Sequence, residues 1–148
     1  MSGGANLERF VERVHDHKRT PCADAVTLCY AQREKARQRA VLASGEEIAI
    51  VLPRGAVMRG GDTLISRSGR RISVLAAAEA VSTVVAASDL VRIAYHLGNR
   101  HVALQVGDGW VRYLRDRVLD EMVRGLGGDI VHESVAFEPE AGAYEHRH

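Results

Sequence analysis

Apolar residues follow two rhythms along this chain. Between residues 24 and 75 they alternate with polar ones, the period of half-buried strands. "AVTLCY" puts Val26, Leu28 and Tyr30 on one side of a strand. "RAVLASGEEIAIVLP" reads as strand, Ser44-Gly45 turn and strand, stopped at Pro53, and "DTLISRSGRRISVL" repeats the design around Ser68-Gly69. The polar stretch 1–20 reads as an edge strand or a loosely held lead-in. Four or more short strands with tight turns predict a small all-β module, sandwich-like or barrel-like.

After "LAAAEA" the grammar changes. "AVSTVVAAS" (80–88) is an apolar, β-branched strand, and Ser88 is placed to cap a helix that begins at Asp89. Leu90, Ile93, Ala94 and Leu97 share one face of that helix, and Gly98 is its expected stop. "HVALQV" and "WVRYL" predict a hairpin around Gly107-Asp108-Gly109. Asp116 caps a second helix whose buried face is Val118, Leu119, Met122, Val123 and Leu126, with Asp120 and Glu121 on the solvated side. Gly127-Gly128 ends it, and "DIVHESVAF" supplies a last strand. The order β-α-β-β-α-β is that of a ferredoxin-like split βαβ unit. The expected fold is therefore α+β: an all-β domain over 1–76, then a ferredoxin-like domain over 77–148, with the boundary near 75–79.

Charge follows the same division. Residues 1–76 carry 13 Lys/Arg against 8 Asp/Glu, a net +5, and residues 77–148 carry 7 against 11, a net −4. The whole chain is near neutral at +1 and only 5% aromatic, which argues against a nucleic-acid reader. The basic run Arg33–Arg39 reads first as a solvated face, then as a partner-docking patch, and last as a nucleic-acid contact, since nothing aromatic is interleaved. No apolar run is long enough to cross a membrane, and the opening "MSGGANLERF" lacks a signal-peptide core, so the expected location is the cytoplasm. Cys22 and Cys29 lack C-x-x-C spacing and are expected as free thiols.

No H-E-x-x-H, G-x-S-x-G or P-loop occurs, and no catalytic constellation is found, so the expectation is a protein that is not an enzyme. The histidines carry what chemistry there is. His96, late in a helix, suits packing or the helix dipole, and His132 alternates within the last strand as a structural residue. His101 opens a strand just past a helix stop, at a corner of the framework. A single imidazole there is a corner residue; two, related by a dimer axis, make a ligand set. His146 and His148 form an i, i+2 pair near the C-terminus, and imidazole suits nickel, copper and zinc. His15 and His17 form a second such pair, of less promise.

Four stretches resemble one family. "REKARQR" (33–39), "LPRG" (52–55) with "GGD" (60–62), "YHLGNRH" (95–101) and "FEPEAGAY" (137–144) are similar to the motifs of the UreE urease accessory proteins, which are nickel metallochaperones. The resemblance spans nearly the whole chain. It implies a homodimer joined through the C-terminal domains, with His101 binding Ni²⁺ at the interface and His146 and His148 assisting capture. It further implies delivery of nickel to apo-urease alongside an accessory complex containing a GTPase, with Zn²⁺ or Cu²⁺ as other metals the site accepts. Ala36 and Ala103 depart from a common serine and a common proline. Arg115 and Arg117 stand where some relatives carry a histidine pair, and a guanidinium offers no lone pair, so a peripheral metal site is not expected. The rival readings are a peptide-binding or assembly module of urease maturation with incidental metal, a metal-dependent hydrolase and an RNA-binding module.

Overall fold

The computed structural model describes residues 6–15, 18 and 20–141. The chain divides into two compact units, Met1–Ala77 and Ala78–His148.

The first unit contains β1 (Arg9–Val14), β2 (Ala25–Leu28), a single-turn helix α1 (Tyr30–Arg33), β3 (Arg37–Val41), β4 (Glu47–Val51), β5 (Thr63–Ser66) and β6 (Arg71–Ala76). The strands form one six-stranded sheet in the order β2-β6-β5-β1-β4-β3. Pairs β1–β4 and β2–β6 are parallel, and the others are antiparallel. The Ala43 N–H donates to the Ala25 carbonyl at 2.8 Å, so the chain beside the two edge strands meets and the sheet curls around its core. Phe10, Ile48, Ile50, Leu64, Ile72 and Val74 are fully buried there. Alternation along each strand puts these apolar side chains on one face. The hairpin turns fall at Gly45 (φ +95°) and Gly69 (φ +92°), a left-handed conformation in which a Cβ is penalised.

The sheet is single and curled, the barrel-like of the two expected forms. Two expectations fail in this unit. The polar lead-in contains β1, an interior strand between β5 and β4, because Phe10 is its core anchor. Tyr30 begins α1 instead of extending β2. Within the basic run, Glu34, Lys35, Arg37 and Arg39 are exposed as expected, whereas Arg33 is completely buried. Its Nε donates to the Leu28 carbonyl at 3.2 Å, and its guanidinium lies 5.7 Å from the Tyr30 ring centroid. Arg33 thus ties α1 back to the end of β2, and burial of the charge is offset by hydrogen bonding and cation–π contact.

The second unit contains β7 (Ala78–Ala87), α2 (Leu90–Asn99), β8 (Gln105–Val106), β9 (Val111–Leu114), α3 (Arg117–Gly125) and β10 (Gly128–Ala136). Its sheet runs β10-β7-β9-β8, with every pair antiparallel. Val84, Ile93, Leu97, Val111, Tyr113 and Val123 form one core from both helices and the sheet face beneath them. The expected α2 face is borne out. The cap, however, is Asp89, whose carboxylate accepts from Arg92 N–H at 3.1 Å, and not Ser88. Asp116 caps α3 by accepting from Leu119 N–H at 3.0 Å. Val118, assigned to the buried face of α3, is 62% exposed, and Asp120, assigned to solvent, is 3% exposed. Strand β8 is only two residues long, shorter than "HVALQV" suggested.

The end of α3 explains both glycines. Gly127 has φ +90°, the left-handed position that stops a helix. At Gly128 a Cβ would meet Val123 Cγ1 at 2.7 Å and Ile93 Cδ1 at 3.0 Å. Gly128→Ala is therefore expected to overpack this core and cost about 1–3 kcal/mol, measurable by urea unfolding.

Candidate metal centre

Helix α2 runs past Gly98 to Asn99, and His101 is what stops it. The His101 N–H donates to the Gly98 carbonyl at 2.9 Å, and the Val102 N–H donates to the Leu97 carbonyl at 3.3 Å. This paired return is a Schellman motif, completed by Val102 packing into the core that contains Leu97. The residue after the cap must turn left-handed, and His101 does so at φ 61°, the one non-glycine with positive φ among the described residues. Glycine holds the corresponding place after α3. A Cβ at this place is penalised, yet an imidazole occupies it and projects, exposed, from a fixed corner.

His96 sits one turn back, partly buried, with its ring 5.2 Å from that of Tyr95 in an edge-to-face arrangement. Together with Asp89, Val91 and Arg92 these two line an open depression of ≈ 520 Å³. The outer side of α2 carries an apolar stripe beside the exposed Asp89–Arg92 pair: Val91 is 82% exposed and Tyr95 is 65% exposed. They lie four residues apart on one stripe, which Gly98 extends toward His101. A Cβ on Gly98 would meet nothing within 4 Å, so nothing in the described part of the subunit requires glycine there. Val91 and Tyr95 have helical spacing in the sequence, but the stronger apolar periodicity of α2 is that of its core-facing side.

Among the described residues no group of three His, Cys, Asp or Glu side chains could hold an ion. His146 and His148 lie outside the described residues, as does His17. His15 engages the buried carboxylate of Asp62, Nδ1 to Oδ1 at 2.7 Å. Neither Cys22 nor Cys29 forms a disulfide. Arg115 and Arg117 are exposed, and the Arg117 Nε pairs with Glu121 at 3.6 Å.

His132 belongs to a separate network. Its Nε2 lies 2.8 Å from Asp120 Oδ2, and the buried Tyr113 hydroxyl donates to Asp120 Oδ1 at 2.6 Å. Burial raises the Asp120 carboxyl, but the Tyr113 hydroxyl and the His132 ring against it more than offset this and hold it below the usual carboxylate range. Burial, and then the Asp120 carboxylate, push the Tyr113 phenol well above its ordinary range. The network joins β9, α3 and β10 and stands apart from the α2 corner.

Past β10 the chain crosses the sheet. Phe137 and Pro139 are buried. The Glu138 N–H donates to Gln105 Oε1 at 3.0 Å, and the Glu140 N–H donates to the Leu104 carbonyl at 2.8 Å. Strands β10 and β8 are opposite edges of the sheet, so Phe137–Glu140 forms a strap from one edge to the other.

Comparison with known proteins gives the family. Residues 7–77 match the family model "UreE urease accessory protein, N-terminal domain", and residues 79–148 match its C-terminal counterpart. The chain belongs to the UreE urease accessory protein family. Relatives named urease accessory protein UreE include that of Nitrosospira multiformis, 49% identical over 80% of this chain and 69% of its own length. Another, from Alkalilimnicola ehrlichii, is 50% identical over 84% of this chain and 77% of its own. A third, from Pseudomonas putida, is 48% identical over 92% and 84% respectively. The family is an accessory one by name, with a role in urease maturation. No described helix is long and apolar enough to cross a membrane.

Proposed function

We propose that two copies of this chain meet through the outer side of α2 and clasp a nickel ion between their His101 imidazoles, for delivery to apo-urease. The observation that carries this reading is the exposed stripe of Val91, Tyr95 and Gly98 leading to His101. Exposed Val and Tyr favour burial against a second surface, and an unobstructed glycine lets another backbone approach closely. A two-fold axis beside His101 supplies two imidazoles from one position. His146 and His148 add ligands. His146 lies six positions beyond Glu140, a reach of roughly 20 Å, whereas His101 is within roughly 10 Å of Leu104 along the chain. The second unit is then a ferredoxin-like module, in keeping with its β-α-β-β-α-β order and its sheet order β10-β7-β9-β8.

Such a carrier is not an enzyme. Two or more nitrogen ligands at an exposed subunit junction hold Ni²⁺ and release it on contact, and they accept Zn²⁺ or Cu²⁺ as well. Affinity falls as pH drops through the histidine range, because the ligand is neutral imidazole. The protein works in the cytoplasm, where free thiols persist, and its partners are apo-urease and the accessory complex containing a GTPase. The basic first unit offers those partners an edge: β3 ends the sheet, with Arg37, Arg39 and Val41 all exposed along it.

Tyr95→Glu tests the clasp. Placing a charge in the stripe is expected to yield monomers in analytical ultracentrifugation and to remove the site that binds one nickel per dimer. If the variant stays dimeric and still binds one nickel per dimer, the α2 stripe is not the junction.

A further inference from the structure

We propose that Arg100 is a second determinant of nickel affinity: its uncompensated charge repels the ion held by His101 and keeps the clasp weak enough to let go. The inference rests on the nickel reading above. Two observations carry it. The first is the pairing of the two arginines at α2. Arg92 is matched by Asp89, Nε to Oδ2 at 3.1 Å. Arg100, the exposed C-cap residue immediately before His101, forms no ion pair among the described residues. The second is a gap in the acidic residues. Residues 77–148 carry 11 Asp/Glu, yet none falls between Asp89 and Asp108. The chain on either side of His101 thus offers a bound cation no carboxylate, which would attract it, and a guanidinium, which repels it.

Geometry keeps this charge in range. The main chain is pinned at both residues: the Arg100 N–H donates to the Leu97 carbonyl at 3.2 Å and the His101 N–H to the Gly98 carbonyl at 2.9 Å. Neighbouring Cα atoms are about 3.8 Å apart. Even with both side chains at full stretch, the guanidinium lies within about 20 Å of an ion on the imidazole, inside the screening length of about 30 Å at 0.01 M salt. The negative end of α2 opposes the effect, but it amounts to about half a charge against the full charge of a guanidinium. A two-fold axis brings two arginines to one ion. At about 10 Å each in water, their combined repulsion of a dication lowers affinity about tenfold, and about twofold at 0.15 M salt. The imidazoles set which metals bind. Arg100 sets how firmly, and it treats Ni²⁺ and Zn²⁺ alike because both carry two charges.

The test is calorimetric Ni²⁺ titration of the full chain at neutral pH, for the wild type, Arg100→Gln, Arg100→Lys and His101→Ala, at concentrations where ultracentrifugation shows each protein to be dimeric. In 0.01 M salt Arg100→Gln is expected to bind nickel about tenfold more tightly than the wild type, and to release it to a chelator correspondingly more slowly. At 0.15 M salt the gap narrows to about twofold. Arg100→Lys, which keeps the charge, binds as the wild type does. Zn²⁺ gains as much from Arg100→Gln as Ni²⁺ does. If His101→Ala loses the tight site while Arg100→Gln binds no better than the wild type in low salt, the repulsion is wrong and the His101 reading stands. If Arg100→Lys tightens binding as Arg100→Gln does, or if only one of the two metals gains, the residue acts through packing or coordination and the proposal fails. If His101→Ala keeps the tight site, the clasp itself is wrong and the role of Arg100 falls with it.

Discussion

Exchanging His101 for glycine is expected to make the protein more stable and at the same time abolish its tightest nickel site. The two effects come from one φ angle. His101 fills the left-handed position that closes a Schellman motif, and its φ of 61° is costly for a residue with a Cβ. Glycine takes the same conformation freely, as Gly127 does at φ +90° after α3. The bonds from residue 101 to Gly98 and from Val102 to Leu97 are main-chain and survive the change. A gain of about 1 kcal/mol is expected, read as a higher urea midpoint with an unchanged slope. The metal outcome is the reverse. Losing a group that merely orients a ligand costs tenfold to about a hundredfold in affinity, so losing an imidazole from each subunit exceeds that. Calorimetry at neutral pH measures it. His101→Ala separates the two effects: it empties the site and, keeping its Cβ, gains little stability. A glycine variant that binds nickel as before removes His101 from the site. One that unfolds at the same urea concentration as the wild type removes the backbone argument and leaves the ligand assignment untouched.

Removing the Asp120 carboxylate is expected to be among the most damaging single changes in the second unit, at about 3 kcal/mol for Asp120→Ala. Tyr113 is fully buried and donates to Asp120 at 2.6 Å, and His132 Nε2 approaches its other oxygen at 2.8 Å. The substitution leaves a buried hydroxyl without its acceptor and opens a cavity between α3 and the sheet. The direction of the pH effect follows from the lowered Asp120 pKa. The folded value lies below the unfolded one, so the contribution is complete above the ordinary carboxylate range near pH 4. It is lost as pH falls through the folded value. Stability of the wild type should therefore drop on acidification in that window. Asp120→Asn, which keeps the shape and one acceptor, should be less stable at neutral pH and show a flatter profile below pH 4. Equal steepness in the two proteins would transfer the acid sensitivity to other carboxylates. Glu8 is one such group, held low by Ser66, Ser68 and Arg70.

The second half of the chain was the more legible. Its elements are local: Asp116 caps its own helix, Gly127 stops it, and Leu90, Ile93, Ala94 and Leu97 find the core by helical period alone. The position of His101 just past a helix end is also legible in "YHLGNRH", although Gly98, the expected stop, lies inside the helix. What could not be read was that His101 itself makes the turn. Backbone conformation there is settled by two hydrogen bonds and by Val102 entering the core, and composition at position 101 argues against it.

Alternation, capping and glycine punctuation act over a few residues, so most strands, the helices α2 and α3 and the candidate histidine ligands are legible in the amino-acid order, whereas β1 as an interior strand and the single turn α1 are not. Tertiary structure alone decided the pairings and the burial of charge. Beta1 became an interior strand because Phe10 completes a core built from distant strands. Arg33 and Asp120 went inside because partners far along the chain or on other elements satisfy them: Leu28 O for one, Tyr113 and His132 for the other. The strap over the second sheet came from a meeting of residues 33 positions apart, Gln105 and Glu138. Desolvating a polar group is unfavourable until its partner arrives, and that arrival depends on the whole fold.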